Sequence, residues 1–236
     1  MDITKYLDTW AAAYRNDLIE NIMPFWMKFG LDRKHGGIYT CLDRDGKLMD
    51  STKSVWFQGR FGFIASYAYN HIEKKQEWLA ASKSCIDFIE THCTDIDGHL
   101  FFEVTEEGIP LRKRRYVFSE CFAAIAMSEY AIASGDKSYA TKALEIFKRT
   151  LKFLSTPGFL EPKYLPTLQS RGHSITMILI NTASRIREVI EDPVLDRQIN
   201  ESLTSIRQYF MHPEFKALLE MVGPKGELID TCNGRT

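Results

Sequence analysis

The chain has no Cys-x-x-Cys pair. Its five cysteines, Cys41, Cys85, Cys93, Cys121 and Cys232, are odd in number and irregular in spacing, which speaks against a disulfide framework or a thiolate zinc site and for reduced thiols. It lacks an apolar run long enough to span a bilayer, and a basic start followed by an apolar stretch, so neither a membrane helix nor a secretory signal is expected. It also lacks an excess of either charge. Thirty basic and 31 acidic residues give a net charge of −1, which leaves no overall field to recruit nucleic acid or an anionic membrane. One basic cluster, Arg112-Lys113-Arg114-Arg115, reads as a solvated loop. The acidic residues show no metal-ligand spacing, and neither a metal nor a cofactor is expected. These absences predict a soluble, cytoplasmic protein with no nucleic-acid or membrane partner.

What is present is apolar and aromatic. With 236 residues, 44% hydrophobic and 12% aromatic, the chain can bury a sizeable core. Ile3, Leu7, Trp10, Ala11, Tyr14, Leu18 and Ile22 recur at helical spacing, predicting an amphipathic first helix that Pro24 ends. Two short extended segments around Arg44-Asp45-Gly46 predict a hairpin. Two helices follow, over about 56–70 and 77–91. The same order then returns: a hairpin over 97–111 with a turn at Gly108, then helices over about 117–134 and 138–154. A third loop at 156–162 precedes helices over about 173–190 and 193–211, and a fourth begins at 224–230. Units of two helices and a hairpin loop, repeating about every 60 residues, must stack to bury their apolar faces. Because 56–70, 117–134 and 173–190 are apolar nearly all round while their partners are amphipathic, a closed ring is favoured over an open solenoid. The predicted fold is all-α, an (α/α) toroid with short β-hairpins in its rim loops.

In that arrangement the starts of the inner helices meet at one mouth. The first carries Trp56 and Arg60, a ring and a guanidinium one turn apart in a helix read as buried, where an unpaired charge must find a carboxylate, carbonyls or a polar ligand. A ring beside a fork of donors suits a polyhydroxylated ligand, since the ring covers C–H faces while the fork binds oxygens. The second start carries Tyr116, Ser119 and Glu120. The third carries Arg171, His173, Met177 and Asn181. Structural alternatives stand beside each: Arg60 paired with a distant Glu, Glu120 attracted to a helix N-terminus, His173 as a hydrogen-bonded core residue.

Several of these segments resemble the N-acylglucosamine 2-epimerase family of (α/α)6 barrels, which includes cellobiose 2-epimerases and aldose–ketose isomerases. They are Gly36-Gly37-Ile38-Tyr39, Asp45-Gly46, Val55-Trp56-Phe57-Gln58-Gly59-Arg60, Asp97-Gly98, Phe118-Ser119-Glu120-Cys121-Phe122, the helix from His173 to Asn181, and Gly234-Arg235. The resemblance implies that Arg60 and Trp56 bind the sugar, that His173 lines the pocket, as it does in some subfamilies, and that Arg235 lies beside the reacting end; Tyr39, together with Glu120 and Asn181 from the inner-helix starts, is a further substrate-binding candidate. It implies six hairpins, of which residues 1–236 supply about four as one incomplete barrel domain. The family's two acid/base histidines lie beyond the position matching Thr236, so no catalytic residue is assigned and the chain alone is expected to be inactive.

The implied chemistry is removal and return of the proton on C2 of an open-chain aldose such as N-acetylglucosamine or N-acetylmannosamine. A base poised near neutral pH takes the proton, and cationic donors, here Arg60 and Arg235, hold the enediolate. An aldose–ketose isomerase or a cellobiose 2-epimerase is the near alternative. A glycoside hydrolase needs two carboxylates across the mouth, where only Glu120 stands out, and a non-catalytic interaction protein is the remaining reading. The partners expected are a small-molecule sugar and a second copy of the chain in a homodimer.

Overall fold

The computed structural model describes residues 2–113, 116–161, 165 and 167–229. The first helical run is α-helical over Ile3–Asp17 (α1) and Met23–Phe25 (α2), and π-helical over Leu18–Ile22 and Trp26–Gly30. Pro24 does not end it, contrary to the sequence expectation. A proline is costly where its missing N–H would have closed an i to i−4 bond. Here it sits in the first turn of α2, after a widened turn in which Met23 N–H already reaches Leu18 O, and the chain stays helical to Gly30.

Three helical hairpins follow. They are α3 (Val55–His71) with α4 (Gln76–His92), α5 (Phe118–Ser134) with α6 (Ser138–Ser155), and α7 (Ser174–Arg187) with α8 (Pro193–Ser205), which runs on as a π-helical turn to Phe210. Bounds expected from periodicity lie within a few residues of these. Helices α3, α5 and α7 pack side by side as an inner layer, and α4, α6 and α8 each cover one of them from outside. Helix α5 is enclosed almost all round, burying Glu120, Ala123, Ala124, Met127 and Glu129. Glycines make the inner layer tight. A Cβ on Gly59 would lie 2.6 Å from the Phe122 carbonyl carbon, and one on Gly62 would lie 3.3 Å from Ala126 Cβ.

The loops carry the strands. β1 (Cys41–Leu42) pairs antiparallel with β2 (Leu48–Asp50) across a turn closed by Gly46 at φ 88. β3 (Lys53–Ser54), β4 (Glu103–Val104) and β5 (Pro110–Arg112) form one three-stranded sheet, so the chain entering α3 is tied to the loop that precedes α5. β6 (Arg171–Gly172) pairs with β9 (Met221–Val222), and β7 (Met211–His212) with β8 (Ala217–Leu218). This last hairpin was not visible in the sequence, where 193–211 read as one helix. Lys113 bridges Asp95 and Asp97 at 2.6 and 2.5 Å rather than lying free in solvent.

One sequence inference about α3 is corrected. Its buried face is Val55, Gln58, Gly59, Gly62, Ala65, Ser66 and Ala68, while Phe57, Arg60, Ile64 and Tyr67 are exposed. Apolar residues all round a helix raise a demand for burial, and among the described residues only one side of α3 has it met. Helix α1 carries the same signature further. None of its residues is buried, and Ile3, Leu7, Trp10 and Tyr14 form an open apolar stripe, with Ile3 71% and Tyr14 70% exposed.

Candidate functional site

The three inner helices begin where the hairpin loops deliver them: α3 directly after β3, α5 after the β4–β5 loop, α7 after β6. Polar side chains at these starts are left without partners. Trp56 Nε1 on α3, Glu120 Oε2 on α5 and His173 Nδ1 at the start of α7 are each shielded from solvent yet have no hydrogen-bond partner among the described residues. A buried donor or acceptor left unpaired costs about 1–3 kcal/mol, so each inner-helix start holds one polar atom ready for a hydrogen bond.

Arg60 stands beside them. Its guanidinium lies 4.3 Å from the Phe122 ring centre, 5.5 Å from Phe57 and 5.7 Å from Trp56. It forms no ion pair among the described residues, so of the partners open to it there is no carboxylate; aromatic faces, which attract a cation through the ring quadrupole, surround it instead. Trp56 is itself fixed by Phe102, Phe118 and Phe122, with ring centres 5.1 to 5.9 Å away. A rigid ring and a guanidinium with free donors are thereby held on one surface.

Tyr39 joins this surface. It lines, with Arg60, Trp26, Phe57, Phe61 and Ile64, an apolar groove of about 410 Å3 between the first helical run and α3. Its hydroxyl donates to Glu106 Oε2 at 3.1 Å. Burial first, and then the carboxylates of Asp32 and Glu106, push the phenol up from its ordinary value, so it stays a neutral donor.

Glu120 plays a different part. It is fully buried, and its Oε1 accepts from Leu100 N at 2.6 Å and contacts His99 Nδ1 at 2.5 Å. The carboxylate therefore fastens the 97–100 turn to the first turn of α5, with only Oε2 left over. His173 is half-buried with its ring 5.8 Å from Phe210, and its backbone N–H donates to Glu220 O. Asn181 is exposed two turns further along α7, as is Met177 between them. Tyr39, Trp56 and Arg60 are thus gathered into one patch, Glu120 is packed into the hairpin behind the start of α5, and His173 and Asn181 belong to α7. Arg235 and Cys232 lie outside the described residues.

Sequence reasoning missed the network behind Tyr39. Lys53 is fully buried and donates to Asp32 Oδ2 at 2.6 Å, Gly36 O at 2.8 Å and Glu106 O at 2.8 Å, with Phe88 at 4.3 Å under its ammonium. A lysine in a two-residue strand carries no signal of such a role. Sequence spacing shows no metal-ligand cluster among the acidic residues, yet the fold gathers one set of candidate donors. His35, Glu106 and Glu107 bring their donor atoms within 4.8 Å of one another, which linear spacing could not reveal because two separate loops supply them. The described cysteines Cys41, Cys85, Cys93 and Cys121 are free.

A model of the family described as N-acylglucosamine 2-epimerase (GlcNAc 2-epimerase) matches residues 37–219. The chain belongs to this family. The N-acylglucosamine 2-epimerases of Rattus norvegicus and Homo sapiens are each 27% identical to it over 237 residues, 97% of this chain but 56% and 55% of their own lengths. A cellobiose 2-epimerase of Ruminococcus albus is 31% identical over 139 residues, 58% of this chain. The chain spans about half the length of the curated relatives it matches most fully. Among solved structures, cellobiose 2-epimerase from Bacillus thermoamylovorans B4167 superposes with a TM-score of 0.84 at 20% identity, covering 94% of this chain and 61% of that one. A D-mannose isomerase superposes at 0.75 and 16% identity, covering 92% of this chain and 56% of its own. At such identity the likeness shows the fold, and it is the (α/α) toroid expected from the repeats. No described helix is long and apolar enough to cross a membrane.

Proposed function

We propose that this family member serves a sugar 2-epimerase or isomerase of the N-acylglucosamine 2-epimerase type, and that residues 1–236, as one incomplete barrel domain, supply its sugar-binding surface. The observation that carries this reading is the conjunction at the inner-helix starts. Among the described residues, Trp56, Glu120 and His173 present unpaired polar atoms, and Arg60 rests on aromatic faces without a carboxylate. An open-chain aldose offers what these groups lack: hydroxyls and a C1 carbonyl for the guanidinium and indole N–H, and C–H faces for the rings. When the proton on C2 is removed, negative charge grows on the carbonyl oxygen, and a guanidinium already free of carboxylates stabilises it without first breaking an ion pair. Tyr39, Asn181 and Arg235 complete the binding set in this reading. The substrate is a small sugar, the compartment the cytoplasm, consistent with the free described thiols, and the assembly a homodimer.

A glycoside hydrolase is less well supported, because Glu120 is spent on the 97–100 turn rather than facing a second carboxylate across the mouth. The test titrates N-acetylmannosamine, N-acetylglucosamine and mannose into the chain while following tryptophan fluorescence and ligand NMR. One of the three should bind saturably, and Arg60→Ala should weaken it by about tenfold or more, with little recovered by Arg60→Lys, since an ammonium keeps the charge but not the fork. Unchanged affinity in a folded Arg60→Ala variant removes Arg60 from the site. No saturable binding of any of these sugars removes the reading itself.

A further inference from the structure

We propose that His35, Glu106 and Glu107 form a site for a divalent transition-metal ion that clips the turn at 32–37 to the turn at 105–108. The first observation is convergence. An imidazole and two carboxylates from loops remote in sequence bring one donor atom each within 4.8 Å of one another. Donors bound to one ion at about 2.0–2.2 Å stand roughly 3–4 Å apart, so a closing of about 1–2 Å at most, within reach of side-chain rotation, completes the arrangement. The second is that His35 Nε2 is shielded from solvent and has no hydrogen-bond partner among the described residues. Two carboxylates lie close by without pairing to it, which is the spacing a bridging cation fills.

The surroundings hold these donors in place. Asp32 Oδ1 accepts from the backbone N–H of Lys34 and His35 at 2.9 and 3.0 Å, fixing the turn that carries the imidazole. Lys53 anchors both sides, donating to Gly36 O and Glu106 O, while its own charge is met by Asp32 at 2.6 Å. The Tyr39 hydroxyl holds Glu106 Oε2. Groups that orient the ligands in this way commonly tune a metal site about as strongly as the ligands themselves. A cleft of about 410 Å3 lined by His35, Ser84, Asp87 and His92 opens beside the imidazole and admits an ion with its waters.

The donor set selects the ion. Two carboxylates balance a 2+ charge, and the imidazole nitrogen favours Zn2+, Ni2+, Co2+ or Mn2+ over Mg2+ and Ca2+, which prefer oxygen alone. Because Glu106 also holds Tyr39, an ion here would stiffen one wall of the groove that contains Arg60. The site is independent of which sugar, if any, that groove takes.

The experiment uses the 236-residue chain, freed of metal by chelation and titrated separately with Zn2+, Mn2+, Mg2+ and Ca2+ chlorides by calorimetry, with thermal melts alongside. About one equivalent of Zn2+ should bind and raise Tm, as any ligand of the folded state does. Glu107→Gln changes an exposed residue and should fold normally. It and His35→Ala should each weaken Zn2+ by about tenfold or more, while Cys41→Ser, which removes an exposed thiol elsewhere, should leave the affinity unchanged. The proposal is overturned if Zn2+ does not saturate below about 1 mM, if both variants bind as the parent does, or if Mg2+ and Ca2+ bind as tightly as Zn2+.

Discussion

Replacing Lys53 by methionine should be among the most damaging single changes in the loop region, and the reason lies in what it leaves behind. Lys53 and Asp32 have side chains 0% and 2% exposed and meet at 2.6 Å. Methionine keeps the length and apolar body of the side chain but removes three hydrogen bonds, to Asp32, Gly36 and Glu106. The Asp32 carboxylate is then buried without its counter-ion, and two loop carbonyls lose their donor. Breaking a buried pair from one side costs about 3–5 kcal/mol, whereas replacing both partners with apolar groups is often close to neutral. The double variant Lys53→Met/Asp32→Leu should therefore recover much of the loss, giving a coupling energy of about 2 kcal/mol or more in urea denaturation followed by circular dichroism. The pH dependence carries the same signature. Burial opposes the charge on Asp32, but Lys53 and the N–H groups of His35 and Lys34 outweigh it and hold the carboxyl below its usual 3.8. A depressed carboxyl contributes stability that is present above the unfolded-state value and disappears as pH falls through the folded one. The parent should thus lose this contribution below about pH 4, and Asp32→Asn should flatten the stability curve there. Additive losses in the double variant, or an acid limb unchanged in Asp32→Asn, would refute the account.

Gly59→Ala should destabilise the fold by about 1–3 kcal/mol despite alanine's better helix propensity, because the new methyl would meet the Phe122 backbone at 2.6 Å and push α3 from α5; urea midpoints read this directly. Glu120→Ala should cost about 2–4 kcal/mol, since Leu100 N and His99 lose a buried acceptor, and Glu120→Gln should cost less because its amide oxygen still accepts from Leu100. Thiol labelling should find Cys41 fast and Cys85, Cys93 and Cys121 slow under native conditions. Burial pushes the Cys93 and Cys121 thiols up to about 12 and Cys85 higher still, leaving almost no thiolate, and equal rates would contradict their enclosure.

The repeat was legible because its parts are local. A turn glycine such as Gly46 or Gly108, a short extended segment and an apolar helical run each announce themselves within about 20 residues, and their recurrence gave the inner and outer helices to within a few residues. The π-helical turns around Pro24 and the hairpin at 211–218 were hidden. Each depends on what the segment packs against: Pro24 reads as a stop unless a widened turn has already released its hydrogen bond, and Met211 continues an apolar pattern that says nothing of the turn to come.

The site was half legible for a related reason. Trp56 and Arg60 stand out because they share one helix face, and a charge among aromatics is conspicuous at any distance from its partners. Lys53, Asp32, Glu106 and His35 are each ordinary residues in their own loops, and they become a network only when β3 brings the entrance of α3 against β4. Arg60 shows the limit from the other side. The sequence marks α3 as apolar all round, from which burial and a carboxylate, carbonyl or ligand for Arg60 follow; yet Phe57, Arg60, Ile64 and Tyr67 face outward, the first three along the groove that Trp26 and Met23 of the first helical run also line. An exposed apolar surface of that kind marks a surface meant to be covered. The guanidinium on it, stacked on Phe122 and committed to no carboxylate, is the one charged group there whose hydrogen-bonding capacity is not already used within the described fold.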